Sequence, residues 1–213
     1  MSENGGPRDA VQAARWDARY GEADGGLFGE APNDYLRMVM ARPRLAPRRA
    51  LMLADGDGRN GTWLATRGIA VTAVDLSAEA TRRAKARDRA AGVRAERVCA
   101  DLAVWSPPAG PGFDLATVIY LQGPPRIRRR AVETAAAALR PGGWFLLEGF
   151  AKLAGPGPSV GPEEPSARYD LEELPDWIDG LSPVEALEGL VRLEEGPRHS
   201  GLAAVIRLLA RRP

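Results

Sequence analysis

The residues best equipped for chemistry lie between positions 55 and 75: Asp55, Gly56, Asp57, Gly58, Asn60 and Asp75. Gly56-Asp-Gly58-Arg-Asn-Gly61 matches the G-x-G-x-x-G pattern, in which a turn after a strand offers backbone N–H groups and a helix N-terminus to a ligand. The apolar run 69–74 ends on Asp75, at a separation that suits an acid meeting ribose hydroxyls. Asp55 and Asp57 flank Gly56, where a pyrophosphate would have to sit. Like charges at ~4 Å cost about 4 kcal/mol at an effective dielectric of about 20. A ligand with a cationic amino group and no phosphate is attracted by the same acids.

S-adenosylmethionine is such a ligand, with an ammonium, a sulfonium and a ribose that needs an acid. The glycine pattern alone also allows a nicotinamide or flavin dinucleotide, and so a nucleotide-dependent oxidoreductase. A Rossmann-like protein that binds its cofactor without turnover is the other alternative.

Positioning these groups takes a β-α-β unit. Residues 51–53 form a first strand, Trp63, Leu64 and Ala65 lie on a helix stopped by Gly68, and 69–74 form a second strand. Ser77 caps a helix running to Arg89, whose charges read as a solvated face. Residues 93–98 are a third strand leading to Cys99-Ala-Asp101-Leu102, with Cys99 as a small apolar filler. Asp101 either accepts from an adenine amino group or forms a turn. Residues 113–120 are a fourth strand, 126–139 a helix, 140–143 a turn and 144–148 a fifth strand. Strict alternation predicts a parallel sheet with right-handed crossovers. Beyond a Gly/Pro-rich loop at 155–165 and a helix at 170–178 capped by Asp170, runs 183–195 and 202–207 can form only an antiparallel hairpin. The expectation is an α/β, Rossmann-like, mostly parallel seven-stranded sheet with helices on both faces and a C-terminal antiparallel hairpin.

Ahead of this unit, residues 1–10 read as a flexible arm and 11–43 as a helical segment: one helix over 10–20 with Trp16 and Tyr20, another opened by Pro32 and closed by Pro43. Its aromatic residues either pack on the sheet or close over the ligand as a lid. With 213 residues the chain suits a single domain over 1–213. Twenty-nine basic and 28 acidic residues leave +1, which argues against a nucleic-acid surface. One cysteine, Cys99, and one histidine, His199, exclude an internal disulfide and a Cys- or His-rich metal cluster. The N-terminus has no apolar core of a signal peptide and no run approaches the ~20 residues of a membrane span. A cytoplasmic monomer or homodimer acting on a small molecule, away from membranes, is expected.

The motifs in order resemble the class I S-adenosylmethionine-dependent methyltransferases, and within them the bacterial tellurite-resistance and thiopurine methyltransferase group. They are Trp16-Asp-Ala-Arg-Tyr20, Pro32-Asn-Asp-Tyr-Leu36, Asp55-Gly-Asp-Gly-Arg-Asn60, Val71-Thr-Ala-Val-Asp-Leu-Ser77, Ala100-Asp-Leu102, Leu139-Arg-Pro-Gly-Gly143 and Glu195-Gly-Pro-Arg-His-Ser-Gly201. The resemblance implies that Gly56 and Gly58, with Asp55 and Asn60, approach the cofactor's methionine part. It implies that Asp75 and Leu76 meet the ribose, that Asp101 and Leu102 frame the adenine, and that the Trp16 and Asn33 segments close over it as a lid. Three positions depart from the family: Met52 stands where many members carry an acid, Ala54 replaces the first glycine, and Gln122 replaces a frequent histidine. The last weakens any general-base mechanism at that position.

Methyl transfer from a sulfonium collapses positive charge, so a soft or anionic acceptor needs alignment and exclusion of water more than a base. Tyr120, Gln122 and His199 are the candidate acceptor-side residues, with Tyr120 also reaching the cofactor; they form no obvious acid–base pair. A small thiol or a chalcogen oxyanion, such as tellurite or selenite, is the expected acceptor. His199 reads either as an exposed turn residue or, with Arg198, as a group facing an anionic acceptor. In the second case affinity should weaken as pH rises past about 6.5.

Overall fold

The computed structural model describes residues 9–153 and 160–213. Most of the expected N-terminal arm, and residues 155–159 of the expected Gly/Pro-rich loop, lie outside that range. The elements run α1 (Ala10–Gly21), α2 (Asp34–Met40), β1 (Arg49–Leu53), α3 (Arg59–Thr66), β2 (Ala70–Asp75), α4 (Ala78–Ala90), β3 (Glu96–Cys99), β4 (Phe113–Ile119), α5 (Pro125–Ala138), β5 (Leu139–Phe150), β6 (Ser182–Gly196) and β7 (His199–Arg211). The seven strands form one sheet in the order β3-β2-β1-β4-β5-β7-β6. The first five are parallel; β7 pairs antiparallel with both β5 and β6. Order reverses between β1 and β4, the switch point outside which open α/β sheets hold their ligands.

β1 shows why the sheet is covered on both faces. Successive strand residues point to opposite sides. Leu51 and Leu53 pack with Val118, Val132 and Ala135 on the α5 side, while Ala50 and Met52 pack with Leu36, Val39 and Leu64 on the α2–α3 side. All are buried, so a near-continuous apolar run is what this strand requires. Truncating Leu51 to Ala would cost about 2–5 kcal/mol through lost contact and cavity.

Boundaries differ from expectation where local chemistry overrides pattern. The expected helix at 170–178 is a series of turns, with Glu173 N–H donating to Asp170 and Ile178 N–H to Leu174. Pro175 accounts for this: it lacks an N–H and disfavours helical geometry at Leu174. The burial that would have packed a helix is met by Leu174, Trp177 and Ile178 from the turns themselves. Asn33, not Pro32, opens α2, its Oδ1 accepting from Leu36 N–H at 2.9 Å. β5 begins at Leu139 and so includes residues expected as a turn, with a register shift opposite Phe113 and Leu115. β3 is shorter than expected, starting at Glu96.

Candidate functional site

At the carboxyl edge of the sheet, β1 passes into a turn in which Ala54, Gly56 and Gly58 all have positive φ (59°, 58° and 85°). Ala54 stands where the sequence resemblance expects a glycine, and L-residues adopt this conformation at a cost of about 1–2 kcal/mol. Tyr120, at the end of β4, is the other non-glycine residue with positive φ (50°) among the described residues. The two strained residues flank the switch point, where local strain marks functional geometry. Gly56 has no room for a side chain: a Cβ there would stand 2.4 Å from the Tyr20 hydroxyl. Gly58 caps α3 and packs against Ala84 and Arg97 instead of lining the cavity.

The acids of this turn face inward. Asp55 accepts from Gly61 N–H through Oδ1 and from the Arg97 guanidinium through Oδ2; Arg97 also holds Asp88 and Thr62. Burial raises the Asp55 pKa and Arg97 opposes it; burial weighs against the charge on Arg97, but Asp88 and Asp55 outweigh it and raise its pKa. Asp57 is bound by Arg87 at 3.3 Å. The expectation that two free carboxylates repel phosphate is therefore corrected: each is matched by an arginine, and Asp55 serves chiefly to fix the turn.

Asp75 bridges the turn to the second strand. Its Oδ2 accepts from Gly56 N–H at 2.8 Å and its Oδ1 from Ser77 N–H at 2.9 Å. Burial pushes its carboxyl up to about 6, against these two bonds. Asp101 does form a turn, accepting from Ala103 N–H, and its other oxygen takes Asp9 N–H at 3.0 Å, docking the start of α1. α1 is latched again where Asp17 accepts from the Ser77 hydroxyl and Glu79 N–H. The helix thus roofs the cavity with Gln12, Trp16 and Tyr20, and Phe28 joins these rings at 6.4 Å from both aromatic neighbours.

Trp16, Asp55, Gly56, Asn60, Asp75, Leu76, Asp101, Leu102, Tyr120, Gln122 and His199 all line this chamber. Asn33 and Gly58 do not. Asn33 is buried beside it, its amide donating to Glu148 and Glu195 and its N–H to Asn60 Oδ1. Glu195 also receives Arg59 at 2.6 Å, and Glu148 receives Arg207 at 2.7 Å. This polar cluster was not legible in sequence. Glu195 stands beside the site only through the β6–β7 turn, and Glu148 only as an acid closing an apolar strand. Phe28 and Gln12 carry no motif signal, and Arg59 stands in the loop motif only as an unassigned position.

The acceptor side is aromatic. His199 lies 4.4 Å from the Tyr120 ring, 4.7 Å from Phe28 and 5.6 Å from Phe150, centroid to centroid. It is 1% exposed, which overturns its reading as an exposed turn residue. Both of its nitrogens and the Tyr120 hydroxyl are buried without a hydrogen-bond partner among the described residues. Burial lowers the His199 pKa, with Glu195 opposing, and raises that of Tyr120, so both are neutral near pH 7. The expected charge attraction that fades above pH 6.5 is corrected accordingly. A second, more open bowl adjoins the chamber, sharing Gln12, Trp16, Phe28, Gln122, Gly123, Pro124 and His199 with it. Beside this junction, Gly29 and Gly196 meet backbone to backbone; a Cβ on Gly29 would lie 1.6 Å from the Glu195 carbonyl oxygen.

No cluster of metal-binding side chains and no helix long and apolar enough to cross a membrane occur among the described residues. Residues 50–143 match a family model described as a methyltransferase domain. Solved structures share the fold. They include the [4+2]-cyclase SpnF (TM-score 0.68, 16% identity, covering 98% of this chain and 97% of that one). TehB from Haemophilus influenzae is another (0.67, 14%, 85% and 62%). A third is the N-methyltransferase NodS from Bradyrhizobium japonicum WM9 with S-adenosyl-L-homocysteine (0.62, 16%, 94% and 98%). No curated protein matches the chain.

Proposed function

We propose that this S-adenosylmethionine-dependent methyltransferase transfers its methyl group to a small soft nucleophile, a thiol or a chalcogen oxyanion such as tellurite or selenite. The observation that carries the reading is the acceptor wall: Tyr120 and His199 present buried, uncharged, unpartnered polar atoms within an aromatic ring of side chains. Such a wall suits a polarisable atom that sheds its hydration easily, and stands against a strongly solvated one. The resemblance to the tellurite-resistance and thiopurine methyltransferase group supports the same acceptors.

The chamber fits the cofactor on its own geometry. Gly56 lines the chamber and lets the Tyr20 hydroxyl of the roof pack on the turn, and the two bonds to Asp75 leave carboxylate lone pairs free for ribose hydroxyls. Asp55 and Asn60 shape the turn toward the methionine part, Leu76 and Leu102 give apolar contact, and Asp101 borders the adenine. Trp16 and α1 exclude water. When bound, S-adenosylmethionine supplies a methyl carbon on a sulfonium, whose bond breaks with its electron pair staying on the departing sulfur. Tyr120, Gln122 and His199 hold the acceptor in line with that carbon. From a thiol, neutral His199 takes the proton as sulfur bonds to carbon; toward an oxyanion it donates a hydrogen bond.

A methyl-release assay over thiols, tellurite and selenite tests the reading. Turnover with these and not with amines or alcohols supports it; the reverse pattern overturns it. A second reading, cofactor binding without methyl transfer, draws on the likeness to a [4+2]-cyclase. Cofactor binding with no methyl release to any acceptor would favour it.

A further inference from the structure

We propose that the outer bowl seats an anionic group of the acceptor, a carboxylate on an apolar-bodied thiol, held by Arg15, Arg19 and Arg198. The inference rests on the soft-nucleophile reading above and extends it to the acceptor's far end. All three arginines line the bowl and none lines the donor chamber, so they do not serve the cofactor's own carboxylate. Among the described residues none of their side chains has a hydrogen bond or ion pair, whereas Arg59, Arg87, Arg97, Arg140 and Arg207 are each bound to acids. The Arg19 guanidinium lies over the Trp16 ring, 4.9 Å from its centroid.

Arg15 and Arg19 stand four residues apart on α1, a spacing at which like charges destabilise a helix. Arg198 joins them from the β6–β7 turn. Burial, then Arg15, then Arg198 lower the Arg19 pKa, so the two other arginines stand close enough to repel its charge. Glu163 and Glu164 line the bowl as well but pair with none of the three; they turn an anion toward the arginine wall. The bowl ends inward at His199, whose nitrogens are buried and unpartnered. Phe28 and Phe150 border the path between. An acceptor spanning it has an anionic end, an apolar body and a reactive end, in that order.

The test separates binding from chemistry. Calorimetry on protein loaded with S-adenosyl-L-homocysteine, which cannot react, compares 4-mercaptobenzoate with thiophenol. The carboxylated thiol should bind about tenfold more tightly, the size of one charge-assisted contact. Added salt should shrink that preference, as should Arg15→Gln/Arg19→Gln/Arg198→Gln. Arg198→Gln alone, on an exposed turn, should give part of the loss if the triple variant melts early. Equal affinity for the two thiols, or a preference that the variants retain, overturns the proposal. Preferential binding with no methyl transfer to either thiol would leave the anion seat standing and count against the soft-nucleophile reading alone.

Discussion

Nδ1 of His199 stands 3.8 Å from Oε2 of Glu195, beyond hydrogen-bond reach, while Arg59 holds that same oxygen at 2.6 Å. Arg59, helped by the N–H of Asp34, outweighs burial and keeps Glu195 ionised, its pKa held below the ordinary carboxylate range. A neutral imidazole therefore faces a fixed negative charge that can stabilise it on protonation.

With its pKa below the ordinary value through burial, His199 is neutral at pH 7 and becomes protonated only on acidification. kcat/KM for a thiol should fall as pH drops below about 6.5. Folding follows the same sign: the unfolded chain takes up the proton first, so this group's share of stability is present above about 6.5 and lost on acidification. His199→Gln should flatten the acid limb, measured from about pH 5 to 8. An unchanged limb in the variant would remove His199 from proton transfer.

Asp75 should show opposite slopes for stability and binding. Its carboxyl titrates at about 6 in the folded chain against 3.8 as the reference value. The native state thus holds the proton longer, and this group's contribution to stability, full below 3.8, is lost as pH rises through about 6. Cofactor binding, which uses the ionised form, should instead strengthen over that window. Asp75→Ala should weaken S-adenosylmethionine by about 1.5–3 kcal/mol and abolish the slope in binding. Calorimetric affinity equal to wild type would detach Asp75 from the ribose.

Because Asp55 faces Arg97, removing its charge should destabilise the fold without admitting a dinucleotide. Breaking a buried pair costs about 3–5 kcal/mol, so Arg97→Met and Asp55→Asn should both lower the denaturant midpoint, with NAD binding undetected in each. NAD binding gained by Asp55→Asn would restore the phosphate-repulsion reading.

Ala54→Gly should raise stability by about 1 kcal/mol, since glycine occupies this φ without the penalty of a Cβ. A lower midpoint in chemical denaturation would show that the turn is not strained there.

The sheet and its hairpin were legible because alternating apolar runs, glycine stops and a short final connection leave few topologies. Residues at strand ends, Asp75, Asp101 and Tyr120, were legible for the same reason. Asn33 was misplaced: its motif is present, yet its amide is spent on Glu148 and Glu195, a three-way meeting of α2, β5 and β6 that no local pattern encodes. Asp55 and Asp57 misled because sequence shows charges but not their partners; Arg97 lies 42 residues from Asp55. Pro175 is the local signal that outweighs the helical composition of 170–178, because it lacks the N–H a helix needs there.

The contact between Gly29 and Gly196 fixes how the two cavities can open. A side chain on either would strike the other's backbone, so the segment carrying Phe28 and the strand turn carrying His199 travel as one piece. Both of these residues wall the donor chamber and the bowl alike. Any displacement of this wall therefore reshapes the donor chamber and the bowl together.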